Sequence, residues 1–107
     1  MTDFNDRRRA EEAKAAMDEE MLFRVTARRN RLVGEWAAGL MGLSDVETEA
    51  YRKAVVQADF EEAGDEDVIR KVLGDLTSAG VDTDDAMVRA ALDEKMIEAR
   101  RQLMSES

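Results

Sequence analysis

No proline occurs anywhere in these 107 residues, and no glycine precedes Gly34. Inside a helix proline costs about 3 kcal/mol and glycine about 1 kcal/mol relative to alanine. Nothing in the first third of the chain therefore interrupts a helix, and a single one is predicted through about Leu40. Its two halves differ. Between Met1 and Met17 the only large apolar side chain is Phe4, whereas apolar residues recur at Met21, Val25, Leu32, Trp36, Leu40 and Leu43. That recurrence is close to the helical period. The back half can dock on a core and the front half cannot. The pattern predicts an arm (1–17) on a body (18–104), with 105–107 as a frayed tail. A segment that is helical only marginally when free, or disordered, gains its order by binding something else.

Local signals divide the rest of the chain into three more helices. Gly42 stops the first, and Ser44 followed by Glu47 is a capping box for the second. That helix is expected to reach about Ala63, with Val46, Ala50, Tyr51, Ala54, Val55 and Ala58 on its apolar face and Gly64 closing it. Asp65 is the expected N-cap of a third helix, whose Val68, Ile69, Val72, Leu73 and Leu76 form a regular stripe. Gly80 ends it, with Val81 folding back as the hydrophobic contact of that cap. Asp82 or Thr83 is expected to cap a fourth helix running to about Leu103 through Met87, Val88, Ala91, Leu92, Met96 and Ala99. Connections of three to five residues would set the helices side by side and antiparallel. The fold predicted is all-α: a compact four-helix bundle with a long first helix carrying the arm. A chain of this length buries roughly 60–70% of its unfolded surface, enough for one core.

Charge and composition narrow the function. Residues 1–40 hold eight basic and eight acidic side chains, so the remainder carries the whole net charge of −9. Such an acidic body speaks against nucleic acid or an anionic membrane as a broad partner. With no cysteine and no histidine, the usual zinc ligands, thiol nucleophiles and imidazole bases are missing. No enzyme, metal or cofactor is predicted. No apolar run reaches the ~18 residues of a membrane helix, and the N-terminus lacks a signal-peptide core. The cytoplasm is the default setting.

Two clusters invite a site. Arg28-Arg29-Asn30-Arg31 reads either as arginines lying over the core and pairing with the acidic body, or as an anion or docking patch, a nucleotide being the ligand of that second reading. Asn30 is a poor mid-helix residue, so a side-chain hydrogen bond to another helix is expected there. Asp82, Asp84 and Asp85 suggest calcium, but Ala86 and Met87 stand where an EF-hand loop needs a ligand and a glycine. The Asp65-Glu66-Asp67 string is explained by helix-start chemistry. Met21, Met41, Met87 and Met96 are expected to fill gaps in the core, and Trp36-Ala37-Ala38 to pack within it.

The residues also carry a family likeness. The stretches Arg28-Arg29-Asn30, Trp36-Ala37-Ala38, Val55-Val56, Asp59-Phe60-Glu61-Glu62, Gly64-Asp65-Glu66-Asp67 and Ala79-Gly80-Val81, in this order, resemble the zeta-type inhibitor subunit of bacterial F-type ATP synthases. The resemblance implies that the N-terminal segment is an inhibitory helix. It would enter the interface of catalytic and non-catalytic subunits in the ATPase head, reach toward the central stalk and block hydrolysis, at the inner face of the membrane. Phe4, Asp6, Arg7, Arg9, Ala10, Glu12, Lys14 and Asp18 match the family's arm. Glu11 and Ala15 stand where such proteins commonly have aromatics, which implies weaker inhibition. A helical adaptor without inhibitory activity is the alternative reading.

Overall fold

The computed structural model describes residues 2–60 and 64–106, with side chains from Glu19 onward. Four helices follow one another: α1 (Thr2–Met41), α2 (Asp45–Ala58), α3 (Glu66–Ser78) and α4 (Asp85–Glu106). No strand occurs among the described residues. The predicted four-helix bundle with a long first helix is what the chain forms.

The helix ends follow local chemistry where the connection is short. After Met41, Gly42 takes φ 71°. The amides of Gly42 and Leu43 then donate to the carbonyls of Gly39 and Ala38 at 3.2 and 3.0 Å. This pair of back-bonds satisfies carbonyls that the helix leaves open. The capping box then forms as expected: Glu47 N–H donates to Ser44 Oγ at 3.2 Å, and Ser44 N–H to Glu47 Oε1 at 3.0 Å. The same glycine device closes α3, where Gly80 sits at φ 79° and Val81 N–H donates to Leu76 C=O at 3.0 Å. Val81 packs back on the core.

Three expectations about the helix ends are corrected. Helix α2 stops at Ala58 rather than near Ala63, followed by a turn at Asp59–Phe60 that lays the Phe60 ring against Phe23. No residue before Gly64 marks that stop; it coincides with a tertiary contact. The cap of α4 is Asp84, whose Oδ1 accepts from Met87 N–H at 2.8 Å, not Asp82 or Thr83. At the other end α4 runs to Glu106, beyond the end expected near Leu103. The connections 59–65 and 79–84 are accordingly longer than the three to five residues expected.

Side chains of modest size fill the core. Val33, Ala37, Val55, Val68, Val72, Leu76 and Val88 are wholly buried in one cluster with Ile69 and Leu92. Burying each such aliphatic side chain stabilises by about 1.5–3 kcal/mol. A second cluster of Val25, Ala99 and Leu103 joins α1 to the last turns of α4. Trp36 packs at the margin of the first cluster, and Ala37 and Ala38 are fully buried. Gly34 explains why small residues suffice: a Cβ there would lie 2.9 Å from Arg52 Cα. Helices α1 and α2 touch backbone to backbone at that point.

The methionines divide. Met41 and Met96 border the clusters, but Met21 and Met87 are exposed, as are Leu40 and Val46. The buried face of α1 runs through Val25, Arg29, Val33 and Ala37, with Asn30 and Ala38 beside it. Met21, one turn before Val25, and Leu40, two turns after Val33, lie in line with that face and are nonetheless exposed, so their level along α1 rather than their side of it leaves them open.

Between α2 and α3, Tyr51 Oη donates to Asp75 Oδ2 at 2.8 Å, and Lys71 Nζ donates to the same oxygen at 3.1 Å. Burial pushes the Tyr51 phenol far above its ordinary value, and the Asp75 hydrogen bond and charge add to that. The unfolded chain ionises first, near pH 10. The contribution of Tyr51 is therefore full below pH 10 and is lost as pH rises beyond it. Urea unfolding of wild type and Tyr51→Phe checks this. The wild type is expected to lead by about 1 kcal/mol at pH 8, and the lead should shrink steadily between pH 10 and 11.

Candidate functional site

At 1.5 Å per residue, the 40 residues of α1 make a rod about 60 Å long. The molecule measures 65 × 26 × 20 Å, so this rod sets its long axis. The other helices cover only its back half. Arg28 meets Glu106 at the end of α4, and Phe23 meets Phe60 just past the end of α2. Helix α1 continues from there to Thr2, some 30 Å beyond both contacts.

The segment that projects is the predicted arm. Phe4, Asp6, Arg7, Arg9, Ala10, Glu12, Lys14 and Asp18 all lie on it, within the helical span of α1. Their side chains lie outside the described residues.

The arginine cluster is where sequence and structure differ most in character. Its members leave α1 in three directions. Arg28 Nη1 donates to Glu106 Oε1 at 2.6 Å and to Gln102 Oε1 at 3.1 Å, tying α1 to α4. The Glu106 hydrogen bond raises the Arg28 pKa, and the same bond holds the Glu106 carboxyl below its usual range. Arg31, on the exposed side, reaches Glu49 of α2 at 3.4 Å. Arg29 turns inward. It is 3% exposed and Asn30 is 1% exposed. Its Nε and Nη2 donate to Asn30 Oδ1 at 3.1 and 2.9 Å, and Nη2 also donates to Asp65 Oδ1 at 2.9 Å.

The hydrogen bond expected of Asn30 thus exists, but its partner is the adjacent arginine rather than another helix. Asp65 precedes α3 without a capping bond from its side chain, which serves Arg29 instead. A buried guanidinium has no water to fall back on, whereas exposed helix-start amides do. The arginines do not converge on one point; they fasten the base of the rod to α2, α4 and the α2–α3 connection.

Asp82 aside, the acidic strings are also committed. Asp84 caps α4, Glu66 and Asp85 both accept from Arg89, and Asp67 pairs with Arg70 at 3.1 Å. Among the described residues, no group of three or more ligating side chains is placed to hold a metal ion. None of the described helices is long and apolar enough to cross a membrane.

One feature at the base of the rod escaped the periodicity. Met21, Leu22 and Phe23 are 43, 54 and 58% exposed, and Phe60 is 64% exposed. The Phe23 and Phe60 rings lie 5.9 Å apart, tilted by 38°. The signal was present as three consecutive apolar residues, since successive helical positions differ by about 100° and cannot all face one core.

Comparison with known proteins agrees with this architecture. The chain is similar to a protein whose structure was determined by solution NMR, with 50% identity and a TM-score of 0.73 over 81% of this chain and 99% of that one. No curated protein matches it. The sequence model of the family described as ATPase inhibitor subunit zeta matches residues 1–102, arm and bundle together. A helical rod continuous with a four-helix bundle, matched over nearly its whole length by that model, places this chain in the ATPase inhibitor subunit zeta family.

Proposed function

We propose that this protein inhibits ATP hydrolysis by an F-type ATP synthase, its projecting half of α1 entering the cleft between catalytic and non-catalytic subunits of the ATPase head. The observation that carries the reading is the unbroken helix Thr2–Met41, anchored at one end and projecting at the other, in a chain of an inhibitor family. An element that stops a rotary machine must transmit load. A helix continuous with the core does so without a hinge, because Val33, Ala37 and Ala38 are immobilised in the bundle. The ties from Arg28, Arg29 and Arg31 resist rotation of the rod against α2 and α4.

In this reading Phe4, Asp6, Arg7, Arg9, Ala10, Glu12, Lys14 and Asp18 contact the head and reach toward its central stalk. The protein then works at the inner, cytoplasmic face of the membrane, bound to the synthase rather than inserted in lipid. Glu11 and Ala15, standing where relatives commonly carry aromatics, reduce the apolar surface offered to the cleft. Each lost aromatic anchor removes about 2 kcal/mol or more where it is a hot spot.

The test is ATP hydrolysis by purified ATPase head with full-length protein and with a version lacking residues 1–17. Inhibition by the full-length chain that vanishes on truncation is the expected outcome. Equal turnover with and without the intact protein rejects the reading. Recovery of a different cytosolic partner, without ATPase subunits, then favours an adaptor.

A further inference from the structure

We infer that the apolar collar Met21-Leu22-Phe23, extended onto the bundle by Phe60, is a second contact surface that seats on the rim of the cleft into which the arm inserts. This rests on the inhibitory reading proposed above and adds to it a surface outside the arm.

The three collar residues span roughly 200° of the circumference of α1. Met21 and Leu22 flank the buried Val25 on the side of α4, while Phe23 turns toward the end of α2. A helix that is apolar around most of its circumference is normally enclosed. Here the bundle covers that level only in part, and all three side chains keep more than two-fifths of their surface open. Among the described residues nothing else encloses them, and a partner's surface would.

Continuity selects the occupant. Residues 21–23 belong to the same uninterrupted helix as the arm and sit where the bundle begins. Whatever takes the arm along its length comes to rest against this level.

The neighbouring groove states the chemistry of the rim. A cavity of ≈ 520 Å³ lies between α1 and α2, lined by Ala27, Arg31, Lys53, Val56, Gln57 and Phe60. Its floor is apolar and its edge carries Lys53 and Arg31, the latter already paired with Glu49, in a chain of net charge −9. Along α1 the groove runs from Ala27 to Arg31, about one helical turn or ~6 Å, and a smaller cavity that shares Ala27, Val56 and Phe60 with it continues to Phe23. It suits a short helical segment of the head with an aliphatic pair one turn apart and a carboxylate beyond it, facing Lys53.

The experiment is titration of purified ATPase head with the full-length chain and three variants. The double variant Phe23→Ala/Phe60→Ala is expected to bind at least tenfold more weakly. Lys53→Glu should bind about threefold more weakly, with the deficit shrinking at high salt. Ile97→Ala, which removes a 61% exposed side chain from α4, should stay within twofold of wild type. Circular dichroism checks that the double variant keeps its helices, and Lys53→Glu reports on the groove even if it does not. Wild-type affinity in both the double variant and Lys53→Glu overturns the collar while leaving the arm as inhibitor. An equal loss in Ile97→Ala overturns its specificity, and no binding by wild type removes both readings.

Discussion

Gly34→Leu is expected to destabilise the bundle by about 3 kcal/mol or more, whereas Gly74→Ala is expected to stabilise it by up to about 1 kcal/mol. Both glycines lie inside helices with negative φ, so neither is needed for a turn. What separates them is their surroundings. At Gly34 a Cβ would stand 2.9 Å from Arg52 Cα and 3.4 Å from both Arg52 N and a Val55 methyl. Backbone cannot swing aside as a side-chain tip can, so α1 and α2 must separate. Separation opens the cluster in which Val33, Ala37 and Val55 are wholly buried. Even Gly34→Ala is expected to lose more through this clash than it gains in helix propensity. At Gly74 nothing lies within 4 Å of the added carbon, and only the propensity gain remains. Urea unfolding of the variants is the measurement. A Gly34→Leu midpoint equal to wild type would mean that the helices are not in backbone contact.

Replacing Asp65 by alanine is expected to cost about 2–3 kcal/mol, although its side chain is 49% exposed. The loss falls on its partner. Arg29 keeps 4% of its side-chain surface open and cannot reach solvent when the carboxylate is removed. Asn30 Oδ1 remains as a neutral acceptor, which limits the penalty. Truncating an ion pair exposed on both sides costs much less: Glu66→Ala, whose side chain is 64% exposed and whose partner Arg89 is 47% exposed and still paired with Asp85, is expected to change stability by no more than about 1 kcal/mol. Thermal unfolding of the two variants side by side checks the contrast. Were Asp65→Ala as mild as Glu66→Ala, the buried arginine would have another counter-charge.

These cases show how much of the candidate site could be read before the fold was known. The arm, the bundle and the helix count followed from the missing proline, the late first glycine and the loss of apolar residues before Met21. The arginine cluster was visible as a cluster, but the division of labour within it was not. Arg28, Arg29 and Arg31 are alike as sequence; only the positions of Glu106, Asp65 and Glu49 send them three ways. The collar was legible in part, since Met21-Leu22-Phe23 cannot all face one core. Its extension through Phe60 depended on α2 ending at Ala58.

The division has a physical origin. Caps at Gly42, Ser44–Glu47 and Gly80 are settled by hydrogen bonds and backbone angles among residues within five positions of one another, so consecutive letters specify them. Which face of α1 is buried depends on where α2 approaches, and the clearance at Gly34 lets it approach closely enough for Val33, Ala37, Ala38 and even Asn30 to disappear from solvent. That approach is a contact between residues 18 or more positions apart. No local pattern specifies it, just as none specifies that Asp65 serves the buried Arg29 rather than the start of its own helix.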